Sequence, residues 1–144
     1  MARLTFPIAR VGLVVDVAIN LKEVSLLPLR AVGAGPVPTV GEGLVDTGSD
    51  ISAVSVSILQ RLRLAPLQST STQSFAGSMP IDLYEVSLHV FDSRNVNLLW
   101  FSQPSLVVME MPAGLPFAVI LGMDVIRACN LHVDGPGSVF TLDF

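Results

Sequence analysis

The residues whose types could do chemistry together are Leu44-Val45-Asp46-Thr47-Gly48-Ser49-Asp50, a short apolar strand that runs straight into a carboxylate and a glycine turn. Leu44 and Val45 suit a sheet, Gly48 can take backbone angles that other residues resist, and Thr47 and Ser49 supply hydroxyls beside Asp46. An acid presented this way is rigidly placed among hydrogen-bond donors, the setting in which a carboxylate works as a general acid or base. Asp46-Thr47-Gly48 alone is weak evidence, because any strand followed by an Asp/Gly turn can produce it. Two further stretches add to it. The apolar run Ala118-Val119-Ile120-Leu121 ends in Gly122 ahead of a short helical stretch, and a turn-like segment at residues 75–80, with Gly77, lies between two strand patterns.

In that order these pieces resemble the retropepsin-like aspartic proteases, the single-lobe relatives of pepsin and of the retroviral proteases. The resemblance covers most of the chain. It takes in Asp46-Thr47-Gly48-Ser49 as the active-site turn, residues 70–91 as a flap hairpin, and Ile120-Leu121-Gly122 followed by Met123-Asp124-Val125-Ile126. It implies an all-β fold: a single-lobe acid-protease β-barrel with one or two short helices, forming a symmetric homodimer. It implies that Asp46, Thr47 and Gly48 are catalytic and that Ser49, Asp50, Ala76, Gly77, Ser78 and Gly122 bind substrate.

Pepsin-like enzymes carry both catalytic acids in one chain, whereas this chain has one such acid, so two copies of Asp46 would meet on a dimer axis. By the same resemblance Thr47 would bond across that axis, Ser49 could donate to Asp46, and Asp50 would contact substrate backbone. Two departures stand out. Met123 occupies the place where retroviral members often carry an arginine that pairs with that acid, and the flap has only Gly77 where they have several glycines. The implied function is a homodimeric aspartic endopeptidase acting on an extended peptide or protein, with no cofactor. An alternative of another class is a catalytically silent dimer of this fold that binds a peptide or protein partner. A third reading is a plain β domain with an accidental Asp-Thr-Gly.

Composition sets the frame around these residues. A chain of 144 residues is the size of one ordinary domain, so residues 1–144 are expected to form one. Hydrophobic residues make up 51% and charged residues 14%, which is a globular balance and leaves more apolar surface than a monomer readily hides. A net charge of −4 with no cluster of Lys or Arg argues against nucleic acid. Cys129 is the only cysteine, so no intrachain disulfide is possible. His89 sits at an alternating polar position and His132 between Leu131 and Val133, with no second histidine near either, and no metal site is expected. Arg10, Asp16 and Lys22 interrupt any candidate membrane span and no signal-peptide pattern is visible, so the expected setting is cytoplasmic and away from membranes.

The elements that must position the acid follow from periodicity. Leu4, Phe6 and Ile8 alternate with polar residues and Pro7, which predicts an edge strand. Residues 13–19 predict a second strand with Asp16 outward. Residues 27–43, dense in Gly and Pro, predict a loop with at most a short strand. Strand character at 51–56 is followed by helical spacing at 57–63, with Ser55 or Ser57 as cap and Ser57 with Gln60 at capping-box spacing. Residues 69–74 and the alternation of Tyr84, Val86, Leu88 and Val90 predict a hairpin. Ser93, Arg94, Asn95 and Asn97 predict a turn, and 98–101 and 105–109 further strand pieces, with Trp100 in a core or interface. Residues 117–121 predict a strand buried on both faces, 123–128 a short helix, and 130–134 with 138–144 a hairpin around Gly135-Pro136-Gly137.

Overall fold

The fold is taken from a computed structural model that describes every residue except Phe75, 96–98 and 112–113, and describes Ser74 without its side chain. Three sequence expectations therefore lie outside the described residues: the start of the 75–80 turn at Phe75, the turn residue Asn97, and the strand start at Leu98.

Most of the chain is strand. Among the described residues the order is β1 (Arg3–Pro7), β2 (Val14–Leu21), α1 (Glu23–Ala31), β3 (Thr39–Val45), β4 (Ala53–Ser55), α2 (Val56–Arg61), β5 (Gln68–Ser74), β6 (Gly77–Phe91), β7 (Trp100–Met111), β8 (Val119–Leu121), α3 (Met123–Ile126), β9 (Asn130–Asp134) and β10 (Val139–Asp143). Strands β2, β3, β8, β4, β7 and β6 are neighbours in that order, and β6 pairs back onto β2, so the sheet closes into a barrel with β5 attached outside β6. The barrel expected from the resemblance is present. A smaller sheet in the order β1-β10-β9 leaves β1 at an edge, as Pro7 requires.

Alternation explains the core. Val15, Val17 and Ile19 of β2, Val86, Leu88 and Val90 of β6, and Val108 of β7 are buried, and they join Val54, Val119 and Leu121 in one apolar cluster. Leu4 and Phe6 reach the same cluster from β1, where the Phe6 ring stacks on Phe140 at 5.3 Å.

Residues 27–43 depart from the loop predicted for them. Helix α1 runs through Pro28, and β3 includes Gly41 and Gly43. The glycines act here as space rather than as breaks. A Cβ on Gly41 would lie 2.6 Å from Ala118 Cβ, and one on Gly43 2.8 Å from Val17 Cγ1, so their lack of a side chain is what lets β3 pack tightly between its neighbours. Helix α1 joins the two helices that were expected. At α2, Ser55 occupies the cap position but makes no side-chain cap bond; its hydroxyl meets Ser57 Oγ at 2.9 Å, so the capping box does not form.

The expected hairpin at residues 70–91 is β5–β6, paired from Gln68↔Leu83 to Ser74↔Gly77. The two strand pieces expected near 98–109 belong to one strand, β7. The final hairpin turns as predicted, with Asp134 Oδ1 accepting the Gly137 N–H at 2.9 Å. Trp100 is not in the core: it is 55% exposed. No described helix is long and apolar enough to cross a membrane.

Candidate active site

Asp46 follows the last residue of β3, and the sheet fixes where it stands. Strand β3 runs parallel to β8 with Val45 opposite Leu121, and the Asp46 N–H donates to the Leu121 carbonyl at 2.9 Å. On its other side β8 pairs antiparallel with β4, Ala53 opposite Ile120. The chain thus leaves β3, turns through residues 46–52, and returns as β4 with β8 lying between the two strands. The strand predicted within 117–121 is β8, and it lies directly beside the strand that carries Asp46.

Within the turn, the Gly48 N–H donates to Asp46 Oδ1 at 2.9 Å and the Ser49 N–H donates to the Asp46 carbonyl at 3.2 Å. The carboxylate is therefore held by its own loop. Asp46 is half-buried, while Thr47, Gly48 and Asp50 are exposed. The Ser49 hydroxyl does not serve Asp46: it donates to the Ile51 carbonyl at 2.8 Å and braces the loop instead. Among the described residues Asp50 forms no ion pair.

Gly122 is buried against this loop rather than presented to a ligand. A Cβ there would lie 2.8 Å from both the Ser49 carbonyl oxygen and the Ile51 carbonyl carbon, so only glycine lets the two backbones touch. The close approach gives Gly122 a packing role at the base of the Asp46 loop. Ala76, Gly77 and Ser78 sit on a separate element, the tip of the β5–β6 hairpin, where all three are exposed.

Two residues that matter here escaped the sequence reading. Ser52 is fully buried, and its hydroxyl donates to Asp124 Oδ1 at 2.6 Å while accepting the Gly122 N–H at 2.9 Å. Asp124 Oδ2 takes the Ser52 N–H at 2.9 Å, and Oδ1 takes the Val125 N–H at 2.9 Å. Together with the Met123 N–H bonded to the Ser49 carbonyl at 2.7 Å, these contacts latch the Asp46 loop to the start of α3. Asp124 directly follows Met123, which stands where retroviral members often carry an arginine, so the sequence does carry a signal: an acid two residues after the signature glycine.

This arrangement can present one oriented carboxylate at the surface of a rigid loop. A family model described as aspartyl protease matches residues 30–125, two thirds of the chain, including the Asp46 loop and the Gly122 turn. Among solved structures, a retropepsin-like aspartic protease from Rickettsia conorii superposes with a TM-score of 0.57 at 13% identity, covering 98% of this chain and 90% of that one. The retroviral protease-like domain of Ddi1 from Leishmania major gives a TM-score of 0.45 at 14% identity, covering 90% and 87%. Among curated proteins no sequence matches.

Proposed function

From the premise that the chain belongs to the aspartyl protease family, we propose that it is a homodimeric aspartic endopeptidase whose single active site is built from Asp46 of both subunits. The observation that carries this reading is the loop itself: a half-buried Asp46 carboxylate steadied by the Gly48 N–H, flanked by exposed Thr47 and Gly48 at the surface that a two-fold partner would cover. Two carboxylates roughly 3 Å apart hold one proton between them, since like charges so close cannot both ionise cheaply. The ionised member takes a proton from a water, the resulting hydroxide equivalent attacks the peptide carbonyl carbon, and the protonated member gives its proton to the carbonyl oxygen. Thr47 binds across the axis, Ser49 and Asp50 shape the floor, and the β5–β6 hairpin serves as a flap whose residues 76–78 bond an extended peptide through their backbone.

Incubating the protein with a peptide library and reading cleavage by mass spectrometry tests this. Asp46→Asn should abolish cleavage and leave the melting temperature close to that of the parent, because it keeps shape and hydrogen-bonding capacity while removing the proton acceptor. Cleavage by the purified variant at the parent rate would overturn the assignment.

The glycine-poor hairpin tip favours a second reading, a silent dimer that binds peptide without cutting it. A statine-type mimic of the transition state separates the two. It should raise the melting temperature of an enzyme well beyond the rise given by an ordinary peptide, and of a silent binder no more than that peptide does.

A further inference from the structure

The outer faces of β2, β6 and β7 carry a groove of about 890 Å³ that the proposed chemistry does not use. Its floor follows from strand register. Ala18, His89 and Ser102 stand opposite one another across the three strands, and Phe91 with Trp100 forms the next row. The Trp100 and His89 rings lie tilted, 6.0 Å apart. One wall is α1 with Arg30; another is the segment bearing Val37 and Val40, which Asn20 ties down by donating from Nδ2 to the Pro36 carbonyl at 3.0 Å. Val40 lies near the start of β3 and Asp46 just beyond its end. Six residues of extended chain span roughly 20 Å, so the groove is separate from the Asp46 loop.

Its polar groups are mostly engaged. The Asp92 carboxylate accepts from Arg94 Nε at 2.8 Å, Nη2 at 3.0 Å and backbone N–H at 3.0 Å. Glu23 accepts from Arg30 Nη1. His89 Nδ1 meets Ser102 Oγ at 2.7 Å, and burial lowers the His89 pKa, Glu23 opposing and Arg30 adding to that fall, which favours the neutral ring. Arg30 offers five N–H donors, and the one on Glu23 leaves the rest of its fork to spare. An apolar, aromatic floor whose rim carries the Arg30–Glu23 ion pair and the Arg94-bound Asp92, with spare guanidinium N–H groups on Arg30 alone and no lysine in the lining, offers one place for a singly charged, planar anion on an apolar body. Its volume lies in the range of small-molecule sites.

We propose that this groove binds an apolar monocarboxylate, its chain or ring lying on Trp100 and Phe91 and its carboxylate held by Arg30. Trp100 is the only tryptophan in the chain, so its emission reports occupancy directly. Titrating the whole protein with dodecanoate below its micellar limit should give a saturable blue shift, with dodecanol, the same body without the acid, binding at least several-fold more weakly. Arg30→Gln, a surface change that spares the core, should weaken dodecanoate roughly tenfold through loss of the charge-assisted bond. Ala18→Phe should abolish the shift by filling the floor, with circular dichroism reporting that the variant is folded. No saturable response in the parent would overturn the proposal. So would equal affinity for dodecanoate and dodecanol, or an affinity for dodecanoate unchanged by Arg30→Gln.

Discussion

Ser52 sits fully buried where the Asp46 loop meets α3, and its hydroxyl is bonded on both sides, to Asp124 and to the Gly122 N–H. Removing it with Ser52→Ala leaves a buried N–H and a carboxylate oxygen short of a partner, which costs about 1–3 kcal/mol. Gly122→Ala forces a methyl group against the Ser49 and Ile51 backbone, and since backbone cannot swing aside as a side chain can, the loop must move, at about 1–3 kcal/mol or more. Urea denaturation of both variants should show lower midpoints with unchanged slopes. Any peptidase activity should fall further than stability explains, because the same displacement misplaces Asp46. Parent-like activity in both variants would detach the latch from the chemistry.

At the scale of elements, β2, β6 and β7 are clamped by polar contacts as well as by pairing. Lys22, just after β2, bonds Glu85 of β6 at 2.8 Å, and Ser105 of β7 donates to the same carboxylate. Lys22 first, and then Ser105, hold the Glu85 pKa below the usual carboxylate range, with a smaller contribution from the Lys22 charge and burial opposing. Arg94 does the same for Asp92 at the end of β6. A carboxyl whose pKa is depressed by folding stabilises the native state fully above its unfolded value, and that contribution is lost as pH falls through the lower folded value. The melting temperature should therefore drop as pH is taken from about 5 toward 3. Glu85→Gln should lower it at neutral pH and make the acid drop shallower. Both effects should be modest, because the pair is partly open to water. A melting temperature in Glu85→Gln that tracks the parent at every pH would show the clamp to be idle.

The whole molecule raises the question of its partner. Val11, Val24, Leu27 and Val32 are among the large apolar side chains left exposed on the single chain, and one chain supplies one Asp46. The protein should sediment as a dimer at micromolar concentration and mildly acidic pH, and a strictly monomeric species there would sink the proposed enzyme. If the two Asp46 carboxylates face each other, their like charges repel across the dimer axis. Asp46→Asn should tighten the dimer at neutral pH by removing that repulsion. Dissociation constants for parent and variant at neutral pH check this; no gain in the variant would rule out a close pair.

What the sequence determined by itself was whatever depends on neighbours along the chain. Alternation marked β1, β2 and β6 because each strand has one face toward the core. Gly135-Pro136-Gly137 marked the last hairpin, and the order of Asp46-Thr47-Gly48 and Ile120-Leu121-Gly122 pointed to the barrel that the structure contains. Tertiary structure decided the rest. The glycines at 41 and 43 read locally as breakers and became strand residues, because the space they leave is filled by Ala118, just before β8, and by Val17 of β2. Ser49 looked like a donor to the acid three residues before it but turned to the Ile51 carbonyl, since the loop's curvature put that acceptor within reach. Ser52 and Asp124 lie 72 residues apart, and Trp100 meets His89 only across the β6–β7 pairing. No local pattern records such contacts, because they exist only once the barrel has closed and brought distant strands to one face.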